Sequence, residues 1–332
     1  MLLRQLFDAD TWTYTYLLAD PESGEALLID PVRDRVDRDL ALIKEVELRL
    51  VYALDTHVHA DHVTGAGLLR ERTGCKTVAS ARGPESADLR LQDGAKLRLG
   101  AIELEVLATP GHTDDSVSFR VGGDLFTGDA LLVRGCGRTD FQNGDAGALY
   151  DSITQRVFAL PDHTRVWPGH DYKGHTSSAV GEEKRHNPRF AGKGRAAFIE
   201  LMGKLGLPPP KYLQQAVPAN RELGLGSGPE QSSGRFAECD ATEVAAMLGS
   251  VRVIDVREPH ELTGELGCIA GSQSVPMGSF PQAAQGWPRE QPLLIVCRSG
   301  RRSREVCEKL ADLGFTHVTN LRGGMLDYRE RG

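Results

Sequence analysis

Residues 56–62 read Thr-His-Val-His-Ala-Asp-His. Four potential metal ligands, His57, His59, Asp61 and His62, fall within six residues. The stretch just before them, Leu48 to Leu54, is rich in apolar residues and predicts a buried strand. In an extended segment alternate side chains point the same way, so His57 and His59 are expected to face one pocket. Asp61 and His62 are then expected from the turn that leaves the strand. Imidazole and carboxylate together suit zinc, iron or manganese.

Partners for this cluster recur downstream. The apolar run Leu104 to Ala108 ends in Thr109-Pro110-Gly111-His112-Thr113. Asp124 to Thr127 is a short strand candidate that ends in Gly128-Asp129-Ala130, and Val166-Trp167 leads into Pro168-Gly169-His170. Each ligand follows a strand beside Gly or Pro, which permit a tight turn. Ligands at the carboxyl ends of several strands line a cleft at one edge of a sheet. Singly, His112 and His170 read as turn residues and Asp129 as a helix N-cap. As a set with this spacing, they read as metal ligands.

The motifs T-H-V-H-A-D-H, T-P-G-H-T, F-T-G-D-A and P-G-H-D resemble the metallo-β-lactamase superfamily over about residues 1–220. The resemblance implies an αββα sandwich, two mixed sheets face to face with helices outside. It leaves the reaction open. A binuclear hydrolase would place His57, His59 and His112 on one ion and Asp61, His62 and His170 on the other, with Asp129 bridging. A mononuclear iron oxygenase would use His57, His112 and Asp129 alone, a two-His-one-carboxylate face with three open positions. The run from Phe126 to Gln142 and H-D-Y-K-G at 170–174 resemble the persulfide dioxygenases. Its G-C-G-R segment is also similar to glyoxalase II, while the R-T-D-F-Q continuation favours the dioxygenase. By that resemblance, Arg138 and Tyr172 help place a glutathione-type substrate.

A second informative stretch lies near the other end. Pro292 to Val296 predicts a short buried strand running into Cys297-Arg298-Ser299-Gly300-Arg301-Arg302-Ser303, then a helix through Leu313. A Cys between strand and helix start lies at the positive end of the helix dipole. Three arginines within five residues add to the field, and both effects favour thiolate over thiol. The loop, with Arg298, Ser299, Gly300, Arg301 and Arg302, also reads as a small-anion cradle. It resembles the rhodanese active-site loop. V-I-D-V-R-E-P-H-E-L at 253–262, G-C-I-A-G-S at 267–272 and L-R-G-G-M at 321–325 extend the resemblance over about residues 235–332. Cys268 stands where that family often has His, and Tyr328 where it often has Trp. The resemblance implies an α/β domain in which Cys297 carries sulfane sulfur as a persulfide.

The chain of 332 residues is long for one core and comfortable for two. The expected division is 1–223, a flexible Gly/Ser-rich linker over 224–234, and 235–332. The net charge of −7 argues against a nucleic-acid partner. Residues 235–332 hold 12 Lys+Arg against 13 Asp+Glu, so neither part is basic overall. No apolar segment approaches the roughly 18–20 residues of a membrane span, so no membrane partner is expected. No signal peptide is read at the start of the chain. Six scattered cysteines form no disulfide-framework pattern, and an exposed reactive thiol at Cys297 suits a reducing cytoplasm. A homo-oligomer stays open.

Taken together, the two resemblances imply a bifunctional persulfide dioxygenase–sulfurtransferase. One Fe(II) in the N-terminal domain would sit on His57, His112 and Asp129, with His59, Asp61, His62 and His170 as orienting groups. Glutathione persulfide, O2 and water would give sulfite and glutathione. Cys297 would move sulfane sulfur between thiosulfate or sulfite and glutathione. The alternative is a binuclear zinc thioester hydrolase of the glyoxalase II type with an accessory rhodanese domain. A sulfur carrier or persulfide sensor with a structural metal ranks lower, because structural sites are usually closed and often rich in Cys.

Overall fold

The computed structural model describes residues 1–208, 212–225 and 236–331. Pro209 and Pro210, and the expected linker from residue 226 onward, lie outside the described residues. The chain divides into two compact units, Met1–Gly228 and Pro229–Gly332.

The first unit contains two six-stranded mixed sheets. In chain order, one comprises β1 (Leu2–Asp8), β2 (Thr13–Asp20), β3 (Glu25–Ile29), β4 (Arg49–Leu54), β5 (Lys76–Ser80) and β6 (Leu89–Leu91). The other comprises β7 (Lys96–Leu99), β8 (Ile102–Ala108), β9 (Val117–Val121), β10 (Asp124–Gly128), β11 (Arg165–Pro168) and β12 (Ser178–Ala179), also in chain order. β1 to β3 pair antiparallel, whereas β3 to β6 are parallel. In the second sheet only β10 and β11 pair parallel.

Side-chain alternation explains the layering. Tyr14, Tyr16 and Leu18 of β2 join Leu104 and Val106 of β8 and Phe126 of β10 in the core between the sheets. The intervening Leu17 and Ala19 face the helices Val36–Glu45 and Ala66–Thr73, through Val36, Ile43, Ala66 and Leu69. On the other outer face, Leu107 and Leu125 pack against Leu149 and Ile153. This is an αββα sandwich. All eight residues of β2 are buried, whereas β1 at the sheet edge is mostly half-exposed.

The second unit is a five-stranded parallel sheet. Its strands are β13 (Ala237–Cys239), β14 (Arg252–Asp255), β15 (Gln273–Ser274), β16 (Leu293–Val296) and β17 (Val318–Leu321), ordered β13-β17-β16-β14-β15. Leu293 and Ile295 face Val306 and Leu310 of the helix Arg301–Asp312, while Leu294 and Val296 face Val244 and Met325. Helical side chains thus cover both faces, as a parallel sheet requires.

The expected strands appear within a residue or two, with one correction. β4 stops at Leu54, so His57 and His59 lie in the loop beyond it rather than in an extended segment. Among the described residues, no helix is long and apolar enough to cross a membrane, and all six cysteines are free thiols.

Candidate metal centre and sulfur-transfer loop

The metal-centre residues come from loops that follow parallel or sheet-central strands. Asp30 follows β3, His57 to His62 follow β4, His112 follows β8, Asp129 follows β10 and His170 follows β11. The seven predicted ligands converge, but they do not form one equal set. Ligand atoms of His57, His112 and Asp129 lie within 4.8 Å of one another, and those of His59, Asp61 and His62 form a second such group. His170 connects the groups: its Nδ1 donates to Asp129 Oδ1 at 2.6 Å and its Nε2 to Asp61 Oδ2 at 2.9 Å.

Hydrogen bonds settle the tautomers. Thr56 Oγ1 lies 2.9 Å from both Asp30 Oδ2 and His57 Nδ1. The carboxylate can only accept, so the hydroxyl donates to Asp30 and accepts from His57 Nδ1–H. That leaves the lone pair on His57 Nε2, which is buried and has no partner. His62 Nδ1 donates to Asp61 and His59 Nε2 to Asp30, leaving His62 Nε2 and His59 Nδ1 buried and unpartnered as well. His112 Nδ1 donates to the Arg138 carbonyl at 2.6 Å, which turns its Nε2 toward Asp129 Oδ2, 3.7 Å away. Buried polar atoms are ordinarily satisfied. The lone pairs of His57 Nε2 and His62 Nε2, buried beside Asp129 and Asp61, suit a bound cation.

The electrostatics agree. Burial, then the neighbouring His59 and His112, hold His57 well below the ordinary imidazole range, so its ring is neutral. Burial opposes charge on His170, but Asp129 and Asp61 outweigh it and raise that ring well above the usual value. Burial likewise opposes charge on Asp129, and His170, His112 and His57 outweigh it to keep the carboxylate ionised. His59 differs: burial lowers it, but Asp30 and its neighbours raise it to about 9, so without a cation both of its ring nitrogens carry protons.

Sequence reading missed Asp30 and Thr56. Asp30 ends an apolar strand, the same signal that selected His57, but nothing in the local pattern pairs it with Thr56. Asp30 has φ +52, a conformation that costs a non-glycine residue strain, and its carboxylate accepts from the Thr56 amide and hydroxyl and from His59. Gly128 (φ +49) is required here, since a Cβ would fall 2.4 Å from Thr56 Oγ1.

The Arg138 guanidinium is bidentate to Asp140, bonds the carbonyls of Leu207 and Pro208, and lies over the Phe141 ring. Tyr172 stacks on His170 with ring centroids 5.6 Å apart and is 59% exposed.

In the second unit, Cys297 follows β16 and is followed by Gly300 at φ +84, where the helix Arg301–Asp312 begins. The carbonyls of Cys297 and Arg298 accept from the amides of Met325 and Leu326. In a trans peptide the next N–H points the opposite way, so the amides of Arg298 and Ser299 face away from the helix Gly324–Arg331 that carries Met325 and Leu326. Gly324 permits this approach, because a Cβ there would fall 2.5 Å from the Cys297 carbonyl oxygen. Arg298, Ser299 and Arg301 are exposed, while Arg302 is bidentate to Glu261 at 2.6 and 2.7 Å. Contrary to the expected exposed thiol, Cys297 is 0% exposed and accepts from Ser303 Oγ at 3.3 Å. Cys297 belongs to the apolar cluster that includes Ile295, Val306 and Cys307.

Residues 13–101 and 82–170 match the metallo-beta-lactamase superfamily, and residues 240–331 match the rhodanese-like domain. The chain is 50% identical over 228 residues to the mitochondrial persulfide dioxygenase ETHE1 of Homo sapiens, across 68% of this chain and 89% of that protein. The crystal structure of ETHE1 from Myxococcus xanthus is 56% identical with a TM-score of 0.67, covering 68% of this chain and all of that one. The chain belongs to the ETHE1 family. Beyond the ETHE1-like region it carries a C-terminal rhodanese-like domain. A metallo-beta-lactamase from Staphylococcus aureus spans 96% of this chain and 98% of its own at 23% identity and TM-score 0.67, a likeness of fold. A hydroxyacylglutathione hydrolase of Polaromonas is 34% identical over 180 residues, 52% of this chain and 67% of that protein.

Proposed function

We propose that the N-terminal unit oxidises glutathione persulfide with O2, and that the C-terminal unit passes sulfane sulfur through a Cys297 persulfide. The observation that carries the first half is the buried, unpartnered Nε2 of neutral His57 beside His112 and Asp129. That donor set suits one Fe(II), which when bound supplies the activation of O2. Identity of 50% to a persulfide dioxygenase supports the same reading.

The chain's own residues then divide the work. Thr56 and the Arg138 carbonyl fix the rings of His57 and His112, and His170 fixes the Asp129 carboxylate. His59, Asp61 and His62 complete the hydrogen-bonded wall behind them. Tyr172, held by stacking on His170, offers a ring edge and hydroxyl to the thiol carrier. Arg138 acts nearby with a guanidinium already neutralised by Asp140. The overall reaction balances as glutathione persulfide plus O2 plus water giving glutathione and sulfurous acid, which ionises to sulfite.

In the second unit the Cys297 thiolate attacks the outer sulfur of thiosulfate. The S–S bond breaks, sulfite leaves with the electron pair, and Cys297 holds the persulfide. Attack by glutathione thiolate on that outer sulfur returns Cys297 and yields glutathione persulfide. The reverse sequence makes thiosulfate from sulfite. Loop amides with Arg298, Ser299, Gly300 and Arg301 hold the anion, and Arg302 contributes through its pair with Glu261. We place the functional boundaries at 1–223 and 235–332. A reducing compartment such as the cytoplasm suits this thiol chemistry.

A second reading has its own observation. His59 Nδ1 and His62 Nε2 are also unpartnered, beside Asp61, and a second ion there with zinc in both positions would give a thioester hydrolase. One experiment separates the readings: O2 consumption by anaerobically Fe(II)-loaded protein given fresh glutathione persulfide, with sulfite assayed in parallel. Stoichiometric uptake and sulfite are expected. Iron-loaded protein that takes up no O2 sinks the dioxygenase and moves the assignment to zinc-dependent hydrolysis.

A further inference from the structure

Asn220 lies 158 residues downstream of His62, in the helix Leu213–Arg221, and is 2% exposed. Its Nδ2 donates to the carbonyls of His59 at 2.9 Å and His62 at 2.8 Å. Its Oδ1 accepts from the Thr64 amide at 2.8 Å. One side-chain amide thus satisfies three backbone groups across the loop that carries His59, Asp61 and His62. Buried backbone groups must find partners, and an irregular loop has no ladder to supply them.

The segment that follows closes over the same loop. The Leu223 carbonyl accepts from the Gly67 amide at 2.9 Å. A Cβ on Gly224 would fall 2.2 Å from the Thr64 carbonyl oxygen, and one on Gly67 would fall 2.4 Å from Leu225 Cγ. The contact is therefore close on both sides and leaves no room for adjustment by a methyl group.

We infer that Asn220 is a positioning residue of the metal centre, holding the 59–64 loop so that Asp61 can orient the Asp129 carboxylate through His170. The route is contiguous: from the clamped loop to Asp61 Oδ2, across His170 at 2.9 and 2.6 Å, to Asp129 Oδ1. The inference rests on the metal reading above. It also means that the last helix of the first unit is part of the centre, although no predicted ligand lies beyond residue 170.

The test is Asn220→Ala in the full-length chain, with two readouts besides activity. Hydrogen–deuterium exchange of the metal-free protein should quicken about tenfold or more over residues 59–64. Fe(II) affinity, measured by competition with a chelator, should fall about tenfold, the low end of what removing a direct outer partner of a metal ligand does, because Asn220 acts through the loop, Asp61 and His170. Sulfur transfer by Cys297 should be unchanged, and a cooperative thermal transition of the first unit verifies that it is folded. If Asn220→Ala does not fold, Gly67→Ala displaces the covering segment and should produce the same local pattern at smaller size. Exchange or Fe(II) affinity within twofold of wild type, in folded variant protein, overturns the inference and spares the metal reading. Wild-type protein that retains no Fe(II) overturns the metal reading and the positioning role together.

Discussion

The candidate metal centre gathers side chains from loops after β3, β4, β8, β10 and β11, so these are separated by up to 140 residues between Asp30 and His170. The Cys297 loop is one uninterrupted run from Cys297 to Ser303, shaped by a strand end, a left-handed glycine and a helix start. The first site is specified by how two sheets stack; the second is specified almost locally. A site assembled from many loops needs outer groups such as Thr56, Asp30 and His170 to keep each ligand in place. A single-loop site needs chiefly room for its backbone, which Gly300 and Gly324 provide.

The sharpest test of this contrast is a pair of substitutions. His112→Ala should abolish metal retention and O2 uptake, more than about a thousandfold, while sulfur transfer persists. Cys297→Ser should abolish transfer to a similar extent and leave O2 uptake intact, since Ser is a far weaker sulfur nucleophile at neutral pH. Metal analysis, an oxygen electrode and a thiosulfate assay read both. Loss of both activities from either folded variant breaks the model of two independent sites.

Gly324→Ala probes backbone room. The position has φ +60, and a Cβ would meet the Cys297 carbonyl at 2.5 Å and the Gly300 amide at 2.6 Å. A cost of about 2–4 kcal/mol is expected from left-handed strain plus overlap, read as an earlier unfolding of the second unit by calorimetry, with O2 uptake unchanged. Thr56→Val probes outer support. It keeps the shape and removes the hydroxyl between Asp30 and His57, so Fe(II) affinity should drop about 10–100-fold. Thr56→Ser should restore most of it, and equal loss in both variants would point to packing instead.

The smallest effect is acid-side. Its hydrogen bond to Arg302 holds Glu261 at about 2, below its usual value. A depressed folded-state pKa gives stability that is full above the unfolded value and is lost as pH falls through the folded one. The pair's contribution should therefore fade between about pH 4.5 and 2. Both partners are partly exposed, so the effect should stay below about 1 kcal/mol. Comparing wild type with Glu261→Gln by thermal unfolding across that range should show the two curves converging at the acid end.

Much of this was legible in the sequence because apolar runs ending in Gly, Pro, His or Asp mark strand ends directly. That signal located β4, β8, β10, β11 and β16, and with them His57, His112, Asp129, His170 and Cys297. Partner choice was not legible. Nothing local tells that Arg302 pairs with Glu261, 41 residues away, or that Arg138 bonds Asp140 and two distant carbonyls. Asn220 carried no signal, since a lone Asn in a helix has no period to break. The extended path expected for His57 and His59 failed because the ladder ends with the Asp55 amide on Val78, and beyond it the amides of Thr56 and Val58 are taken by the side chains of Asp30 and Asp115 rather than by a strand.

β2 has no solvent-facing position: one set of its side chains fills the space between the sheets, the other faces the outer helices, and Thr13 at its start touches His170. Such a strand has almost no mutational tolerance. Random substitution of residues 13–20 should return few working variants, while the half-exposed β1 beside it accepts polar changes freely. Drift in this lineage should therefore accumulate along the outer strand and stall on its neighbour.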